Sequence, residues 1–561
     1  MSKHDFPTLL HSLEYWAKTT PNRVYFTQPI SATEQVTYTW AQVFDQVKRM
    51  TAHIQSLNLP PHSNISIIGK NSAHWIMADL AVWMSGHVSA PIYPTVNAET
   101  CAYVLEHCEA KVLFVGKMDE LWKVAKDGVP QDGSIHLIAL PLAPEIKGEK
   151  WDDILAKTEP TKAPVVRTPD ELATIMYTSG STGNPKGVMI PFRSMTAALN
   201  GIAEAFDTNE NDRMLSYLPL AHAAERAIVE TGSLYYGFSI FFAYSLDTFV
   251  EDLRRANPTV FFSVPRLWTK FYTGICKKIP PHIQKILFSI PILSGLFKKF
   301  ILKKLGLANV RLALSGSAPL APSLIQWYRD LGLELLEGYA MTENFAYSHG
   351  GRLQDTRVGY VGQPYPGVEC KIAENGEVLV KSPGSMLGYY KNPELTAEAF
   401  TEDGFLKTGD MGVTDEKGRL KITGRVKELF KTSKGKYVAP VPIENRLGGH
   451  ALIEAVCVTG PSFTQPFGLL MLSLEGHQLI ESDPAAAQRV TQELEELLTS
   501  VNAQLEAHEV LSCLIVVKDM WTMENGFLTP TMKIKRNIIE AHYLPKAEAW
   551  VKSKKAVIVE A

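Results

Sequence analysis

Eleven residues, Tyr177-Thr178-Ser179-Gly180-Ser181-Thr182-Gly183-Asn184-Pro185-Lys186-Gly187, combine three glycines with four Ser and Thr hydroxyls and one lysine. Glycine admits positive φ and close backbone approach, so successive N–H groups in such a loop line a concavity suited to phosphate oxygens. The hydroxyls add donors and Lys186 adds a mobile cation. The spacing is not that of a Walker loop, which needs Gly, four residues, then Gly-Lys-Ser/Thr and an immediate helix. Here Lys186 follows a proline and precedes Gly187. A Gly/Ser/Thr surface turn is the plainer reading of the loop taken alone.

Other residue sets carry complementary chemistry. Glu337-Gly338-Tyr339-Ala340-Met341-Thr342-Glu343 offers an aromatic face for a purine, a hydroxyl, and a hard carboxylate of the kind magnesium takes together with ATP phosphates. Thr408-Gly409-Asp410 places a carboxylate beyond a tight turn, suited either to both hydroxyls of a ribose or to an Asx turn. Arg425, within Gly424-Arg425-Val426-Lys427-Glu428, supplies a guanidinium for ribose or phosphate. His222, in Tyr217-Leu218-Pro219-Leu220-Ala221-His222-Ala223-Ala224-Glu225-Arg226, is by itself more readily a satisfied structural histidine than a catalytic one. Ser315-Gly316-Ser317-Ala318-Pro319 is, taken alone, a glycine turn after a strand.

The elements that must position these groups follow from hydrophobic pattern. Ala173-Thr174-Ile175-Met176 and Val188-Met189-Ile190 predict strands on either side of the glycine-rich loop, with a helix starting only near Ser194. Residues 8–60 predict helices around one extended piece, Val36 to Thr39. Beyond them, apolar runs at 65–69, 88–92, 111–116, 260–264, 312–315 and 334–337 are separated by helical stretches such as Ala73 to Met84. That alternation predicts α/β layering with largely parallel sheets. Residues 368–423 predict antiparallel strands, with Glu374-Asn375-Gly376-Glu377 giving a type I′ hairpin signal and Lys417-Gly418 repeating it. Past Gly424 a smaller α+β body is expected, with strands near 456–458, 469–472 and 514–517 and an amphipathic helix over 488–505.

Composition bounds the rest. The chain has 561 residues, 45% hydrophobic and 20% charged, with a net charge of −3, so nothing in the overall balance draws it to nucleic acid. Six scattered cysteines form no Cys-x-x-Cys pair and suggest neither a zinc framework nor a disulfide one, which fits a reducing cytoplasm. The first residues lack an apolar signal core, and no apolar run is long enough to span a bilayer.

In order and spacing, these motifs closely resemble those of the adenylate-forming superfamily of acyl-CoA synthetases, firefly-type luciferases and peptide-synthetase adenylation domains. The resemblance spans nearly the whole chain. Leu218-Pro219-Leu220-Ala221-His222 with Glu225-Arg226, Val264-Pro265-Arg266-Leu267-Trp268 and Tyr437-Val438-Ala439-Pro440 are most similar to long-chain fatty acid–CoA ligases. It implies an N-terminal AMP- and acyl-binding domain over 1–424 and a small mobile α+β lid over 425–561, hinged near Lys427. It places Thr178, Ser179, Gly180, Ser181, Thr182, Gly183 and Lys186 at the nucleotide phosphates, with Thr178 also catalytic. Ser315, Gly316, Ser317, Glu337, Gly338 and Tyr339 flank the adenine, Thr342 meets the α-phosphate, and Asp410 and Arg425 take the ribose. Glu343 holds Mg2+, and His222 lies beside the reacting carboxylate. Gly435 and Lys436 line the coenzyme A path. In Leu528-Thr529-Pro530-Thr531-Met532-Lys533-Ile534-Lys535-Arg536 the family usually has glycine at Met532; the resemblance favours Lys533 as the catalytic amine, with Lys535 in reserve. Ala340 also stands where the family usually has glycine.

The implied reaction is ATP-dependent activation of a medium- to long-chain fatty acid to acyl-AMP and pyrophosphate, then transfer to coenzyme A. A fatty acyl-AMP ligase serving a carrier protein, a β-lactone synthetase, and a non-catalytic nucleotide- or lipid-binding homologue share many of the motifs. Joint retention of Lys186, Glu343, Asp410, Arg425 and Lys533 weighs against the last. Between Leu253 and Arg329 there is no Asp or Glu, and Phe297-Lys298-Lys299-Phe300-Ile301-Leu302-Lys303-Lys304 mixes apolar residues with lysines. This stretch raises peripheral contact with an anionic membrane, against a core-packed helix with a solvated basic edge. Pro291 and Gly295 are expected to interrupt that helix, and Lys304 to fall on its apolar side.

Overall fold

Short Val-, Ile- and Leu-rich strands and the helices between them build the layers. The computed structural model describes residues 6–178, 184–353, 355–450, 452–523, 525–529 and 533–560. An eight-stranded sheet runs in the order Gly388–Tyr389, Lys186–Pro191, Leu172–Thr178, Val88–Ile92, Asn64–Ile68, Val112–Val115, His136–Ala139 and Glu149–Lys150. It is parallel from Leu172–Thr178 outward to Glu149–Lys150, and antiparallel where Lys186–Pro191 folds back and Gly388–Tyr389 adds an edge. A second sheet sets Val260–Ser263, Leu312–Ser315 and Leu335–Tyr339 parallel and continues antiparallel through His349–Gly350 and Gln363–Pro364. A third joins Arg213–Ser216, Ser239–Phe242, Val24–Pro29 and Gln35–Thr39. The fourth, wholly antiparallel, holds Glu369–Ile372, Glu377–Lys381, Leu406–Thr414 and Leu420–Arg425.

Helix Ala73–Met84 shows why the layers stay together. Ser72 caps its start by accepting from Trp75 N, and every residue of the helix is buried. A helix apolar on all sides has to sit between layers rather than on a surface. It carries one charge, Asp79, which pairs with the equally buried Arg226. Arg226 also lies 3.3 Å from buried Glu230 and between Trp75 and Trp83, at 5.6 and 5.5 Å from their rings. Trp40 stacks on Tyr25 with centroids 3.5 Å apart in the same core.

The separate C-terminal domain has a sheet of Ile453–Thr459, Phe467–Leu472, Leu514–Val516 and Val557–Val559. Helices Pro440–Leu447 and Pro484–Asn502 pack through Ile443, Leu447, Val490 and Leu494, while helix Arg536–Lys552 packs a different cluster through Ile539, Tyr543 and Ala547.

Several expectations need correction. Residues 8–60 contain two strands, Val24–Pro29 as well as Gln35–Thr39, paired antiparallel. The helix after the glycine-rich loop, by contrast, begins at Phe192, within two residues of the expected start near Ser194. The 374–377 turn is not type I′: Gly376 has φ +83°, but Asn375 is not left-handed. Gly376 N bonds to Ala373 O and Ala373 N to Glu377 O, so one left-handed glycine closes a longer turn. The turn at Lys417-Gly418 has the same form, with Gly418 at φ +73°. Pro291 starts a helix, Pro291–Leu305, in which Gly295 is no break, and Lys304 stands exposed.

Removing one member of a buried charge cluster strands the others, at a cost of about 3–5 kcal/mol. Arg226→Ala is therefore expected to lower the urea midpoint of the N-terminal body sharply. Adding Asp79→Asn and Glu230→Gln should recover part of the loss. Equal midpoints for Arg226→Ala and the wild type would show that the cluster is not coupled to folding.

Candidate active site

The carboxyl ends of three parallel strands converge, with Ser263, Ser315 and Glu337 in register. Open parallel sheets bind ligands at such ends. Beyond Ser315 the chain turns through Gly316 into Ser317, whose φ of +68° is uncommon for a residue with a side chain and marks a constrained turn. Ser315 Oγ is buried without a hydrogen-bond partner among the described residues. Glu337 accepts from Leu320 N at 3.3 Å, and burial pushes its carboxyl up to about 7, against the pull of nearby Arg329. Gly338 and Tyr339 complete the strand.

Tyr339 reaches across to the antiparallel sheet, where its hydroxyl donates to Asp410 Oδ2 at 2.8 Å. Arg425 Nε donates to Asp410 Oδ1, also at 2.8 Å. The Asp410↔Arg425 strand pairing puts the two side chains side by side, and Arg425 is the last residue of its strand. A carboxylate has about four acceptor sites, so Asp410 keeps capacity for hydroxyl donors.

Glu343 lies in the turn Thr342–Asn344, after which Phe345 and Ala346 are both left-handed. Its Oε1 accepts from the Tyr389 hydroxyl at 2.8 Å, and its carbonyl accepts from Met386 N at 2.8 Å. Tyr389 also underlies Lys186, whose ammonium is 5.6 Å from the ring centroid. Lys186 pairs with Thr178 in the strand register. Lys186 and Glu343 thus meet on one tyrosine. Ser179, Gly180, Ser181, Thr182 and Gly183 lie outside the described residues.

His222 sits on a loop held by two buried side chains. Asn71 donates to Leu218 O at 2.6 Å and accepts from Leu220 N at 3.3 Å. Glu225 Oε1 accepts from Ser216 Oγ at 2.8 Å and from Tyr217 N and Asn71 Nδ2 at 3.1 Å each. Burial pushes the Glu225 carboxyl up to about 8. His222 Nδ1 accepts from Ala224 N at 3.2 Å, which leaves the proton on Nε2. Burial, and then the neighbouring Lys533 charge, bring the imidazole down to about 4.

Lys533 comes from the C-terminal domain. Thr529 N donates to its carbonyl at 2.8 Å, and its own N–H donates to Thr529 Oγ1 at 3.1 Å. Its side chain remains reachable by water, yet protein crowds the ammonium and, with Arg425, lowers its pKa. Asp410, Glu428 and Glu343 oppose that shift. Lys535 instead stands at the start of helix Arg536–Lys552. Arg536 is tied to Glu444 at 2.7 Å and to Glu428 at 3.5 Å. Lys427, between Arg425 and Glu428, is exposed. Gly435, at φ +77°, and Lys436 are on an exposed hairpin between Phe430–Lys431 and Tyr437–Val438, with its hydrogen bonds inside the C-terminal domain.

The donor set fits ATP with a hard cation: an oriented carboxylate at Glu343, a lysine at Lys186, a constrained turn with a spare hydroxyl, and an aromatic platform. Residues 13–390 match the family model described as AMP-binding enzyme, and residues 428–553 the one described as AMP-binding enzyme C-terminal domain.

The chain belongs to the AMP-binding enzyme family.

One relative, the long-chain-fatty-acid–CoA ligase FadD15 of Mycobacterium bovis, is 30% identical over 558 residues, covering 91% of this chain and 92% of that one. Long chain acyl-CoA synthetase 7, peroxisomal, of Arabidopsis thaliana is 30% identical over 534 residues, covering 84% and 75%. The adenylation domain of a Mycobacterium chelonae carboxylate reductase shares the fold with a TM-score of 0.80 at 22% identity, covering 98% of this chain and 92% of that chain. The anthranilate CoA ligase AuaEII, in complex with anthranoyl-AMP, gives 0.78 at 20% identity, covering 96% and 98%.

In this AMP-binding enzyme, sequence reasoning missed Tyr389 and Asn71. The only signal for Tyr389 was an aromatic pair after a glycine, Gly388-Tyr389-Tyr390, and nothing local marked Asn71. The state of His222 is measurable. A folded value near 4 against an ordinary 6.5 means the unfolded chain binds the proton first on acidification. This group's contribution to stability is thus full above 6.5 and is lost as pH falls toward 4. Nitrogen-15 NMR of labelled histidine should show a neutral Nε2–H ring at pH 7 that titrates near 4. A midpoint near 6.5 would contradict the crowded site.

Proposed function

We propose that this enzyme activates a medium- to long-chain fatty acid with ATP, giving acyl-AMP and pyrophosphate, and then transfers the acyl group to coenzyme A. The observation that carries the reading is the meeting of Lys533, from the C-terminal domain, with Glu343, Asp410, Arg425 and His222 of the N-terminal body. The names of the relatives at 30% identity support the substrate class.

A carboxylate oxygen attacks the α-phosphorus, and the work of the protein is positioning and charge stabilisation. Tyr339 gives the adenine a stacking face, with Ser315, Gly316, Ser317, Glu337 and Gly338 around it. Asp410 and Arg425 hold the ribose. Lys186, Thr178 and the loop 179–183 take the phosphates, and Thr342 with Lys533 meets the α-phosphate. Glu343 would hold Mg2+, which supplies charge neutralisation at the phosphates. The Nε2–H of His222 donates to the acyl oxygen. For the thioester step we assign the chain beyond Lys427 as a lid that turns about that residue, withdraws Lys533 and brings Gly435 and Lys436 to the thiol path, so that the boundary expected at 424/425 falls just past Arg425, the last residue of a strand of the N-terminal body. The polar junction between the bodies supports this motion.

The test separates the half-reactions. Pyrophosphate release from ATP should depend on added fatty acid, and acyl-CoA should form only with coenzyme A. Lys533→Ala should slow adenylation by about 10²–10³-fold, or about 3–4 kcal/mol, the worth of a preorganised charge-stabilising donor. Thioester formation from supplied acyl-AMP should fall far less. Equal damage to both halves, or a larger effect from Lys535→Ala, overturns the assignment. Pyrophosphate release indifferent to fatty acid overturns the substrate class.

We further propose a cytoplasmic enzyme that docks reversibly on an anionic bilayer, where its substrate partitions. No helix among the described residues is long and apolar enough to cross a membrane. Helices Pro281–Ser289 and Pro291–Leu305 expose Ile283, Ile286, Leu296 and Phe300 beside Lys299, Lys303 and Lys304. Each lysine near such a surface contributes about 1 kcal/mol. Anionic vesicles should pellet the protein at low salt and release it at high salt. Gln at 298, 299, 303 and 304 should weaken pelleting without changing ATP affinity. Wild-type protein left in the supernatant at low salt refutes the docking.

A further inference from the structure

The eight-stranded sheet ends, opposite Tyr389, in a cluster the reaction does not use. His136 opens strand His136–Ala139, Glu149 opens the edge strand Glu149–Lys150, and His53 lies in the last turn of helix Trp40–Ser56. The parallel pairing of Ile138 with Glu149 brings the two strand residues to the same end, and the helix covers them. His136 Nε2 lies 2.7 Å from Glu149 Oε2, and His53 Nε2 lies 3.1 Å from the same oxygen. The three ligand atoms fall within 4.8 Å of one another. His53 Nε2 is shut off from water and makes no directed hydrogen bond among the described residues, despite its closeness to the carboxylate. His136 Nε2 and Glu149 Oε2 are a hydrogen-bonded pair, which leaves the enclosed His53 Nε2 as the nitrogen of the cluster whose hydrogen-bond partner the described residues do not supply.

We propose that His53, His136 and Glu149 form a structural site for a divalent transition-metal ion, with zinc the best match. Two imidazoles and a carboxylate are borderline ligands that suit zinc rather than magnesium or calcium. Tetrahedral zinc at about 2.0–2.2 Å from each ligand sets the ligand atoms about 3.4 Å apart. The present 2.7 and 3.1 Å therefore need about 0.7 and 0.3 Å of spreading. His136 and Glu149 are 36% and 46% exposed, which gives them that freedom and opens a fourth position to water. The ligands come from a helix end, the two-residue edge strand and the strand beside it. Bound metal would pin that short edge to helix Trp40–Ser56. The site is distinct from the nucleotide cleft: seven strand spacings separate the two edges of the sheet, roughly 30 Å.

The test uses the full-length protein stripped with chelator and titrated with Zn2+ against a chromophoric competitor. Co2+ serves as a spectroscopic substitute and Mg2+ as the control. Wild-type protein is expected to bind one Zn2+ through this site, to give the intense visible bands of tetrahedral Co2+, and to melt at a higher temperature with Zn2+ but not with Mg2+. His136→Ala and Glu149→Gln change partly exposed groups outside the nucleotide site. Each should weaken Zn2+ binding at least about tenfold and abolish the thermal shift, while ATP-dependent pyrophosphate release without Zn2+ stays unchanged. No Zn2+ binding by the wild type, or binding equal in both variants, overturns the proposal. The second result would place the metal on other residues.

Discussion

Under the proposed function, the chemistry depends on bringing an ammonium from one folded body into a cleft charged by another. Lys533 belongs to the C-terminal domain, whereas Arg425, Asp410, Glu343 and His222 around it belong to the sheets and loops of the N-terminal body. Its position is set three residues downstream. Arg536 begins the last long helix, donates to Glu444 and to Val458 O, and lies 3.5 Å from Glu428 in the turn just past Lys427. Burial raises the carboxyl of Glu444, and Arg536 counters it, so each holds the other in its charged form. The loop bearing the amine is thus anchored to the junction between the bodies.

What joins the bodies is weak. Arg266 pairs with Glu454 and Lys277 with Glu475, and such partly exposed ion pairs contribute about 0–1 kcal/mol each. No hydrophobic cluster among the described residues spans both bodies: three stay within the N-terminal body and two within the C-terminal domain. An interface with little apolar burial is where relative motion is the ordinary expectation. Under the proposed function this weakness is useful, since the amine must leave before a thiol can enter. A larger apolar junction would favour adenylation at the expense of the second step.

The sequence carried the parts of this arrangement that repeat locally. Helix Ala73–Met84 and the strands around the glycine-rich loop were legible because each is a local, near-continuous hydrophobic run, long for the helix and short for the strands. Resemblance supplied the order of the motifs and the choice between Lys533 and Lys535. Contacts between elements distant in the chain were not legible. Tyr389 touches Glu343 across 46 residues, and Asn71 reaches Leu218 across 147. His53, His136 and Glu149 share no motif and meet only through strand register and a covering helix. Turn geometry failed for another reason: Asn-Gly suits two hairpin forms, and whether one or both residues turn left-handed is settled by the flanking strands.

The segment after His222 shows how buried charge specifies geometry here. Residues Arg226–Thr231 form a π-helical turn, a wider coil that is rare and recurs at functional sites. Arg226 faces Asp79 on the buried helix and Glu230 one turn on, with Ser89 Oγ at 3.0 Å. Desolvation makes such a cluster a poor source of net stability compared with apolar packing. Its effect is on register: any slip of the segment would leave two carboxylates and a guanidinium unpaired between Trp75 and Trp83. Glu225, one residue before Arg226, fixes the loop on the other side through Ser216, Tyr217 and Asn71. His222 is held between these two anchors, and its ring keeps one nitrogen occupied by Ala224 N and the other protonated. The charges deep in the core thereby determine where a single uncharged donor sits at the edge of the cleft.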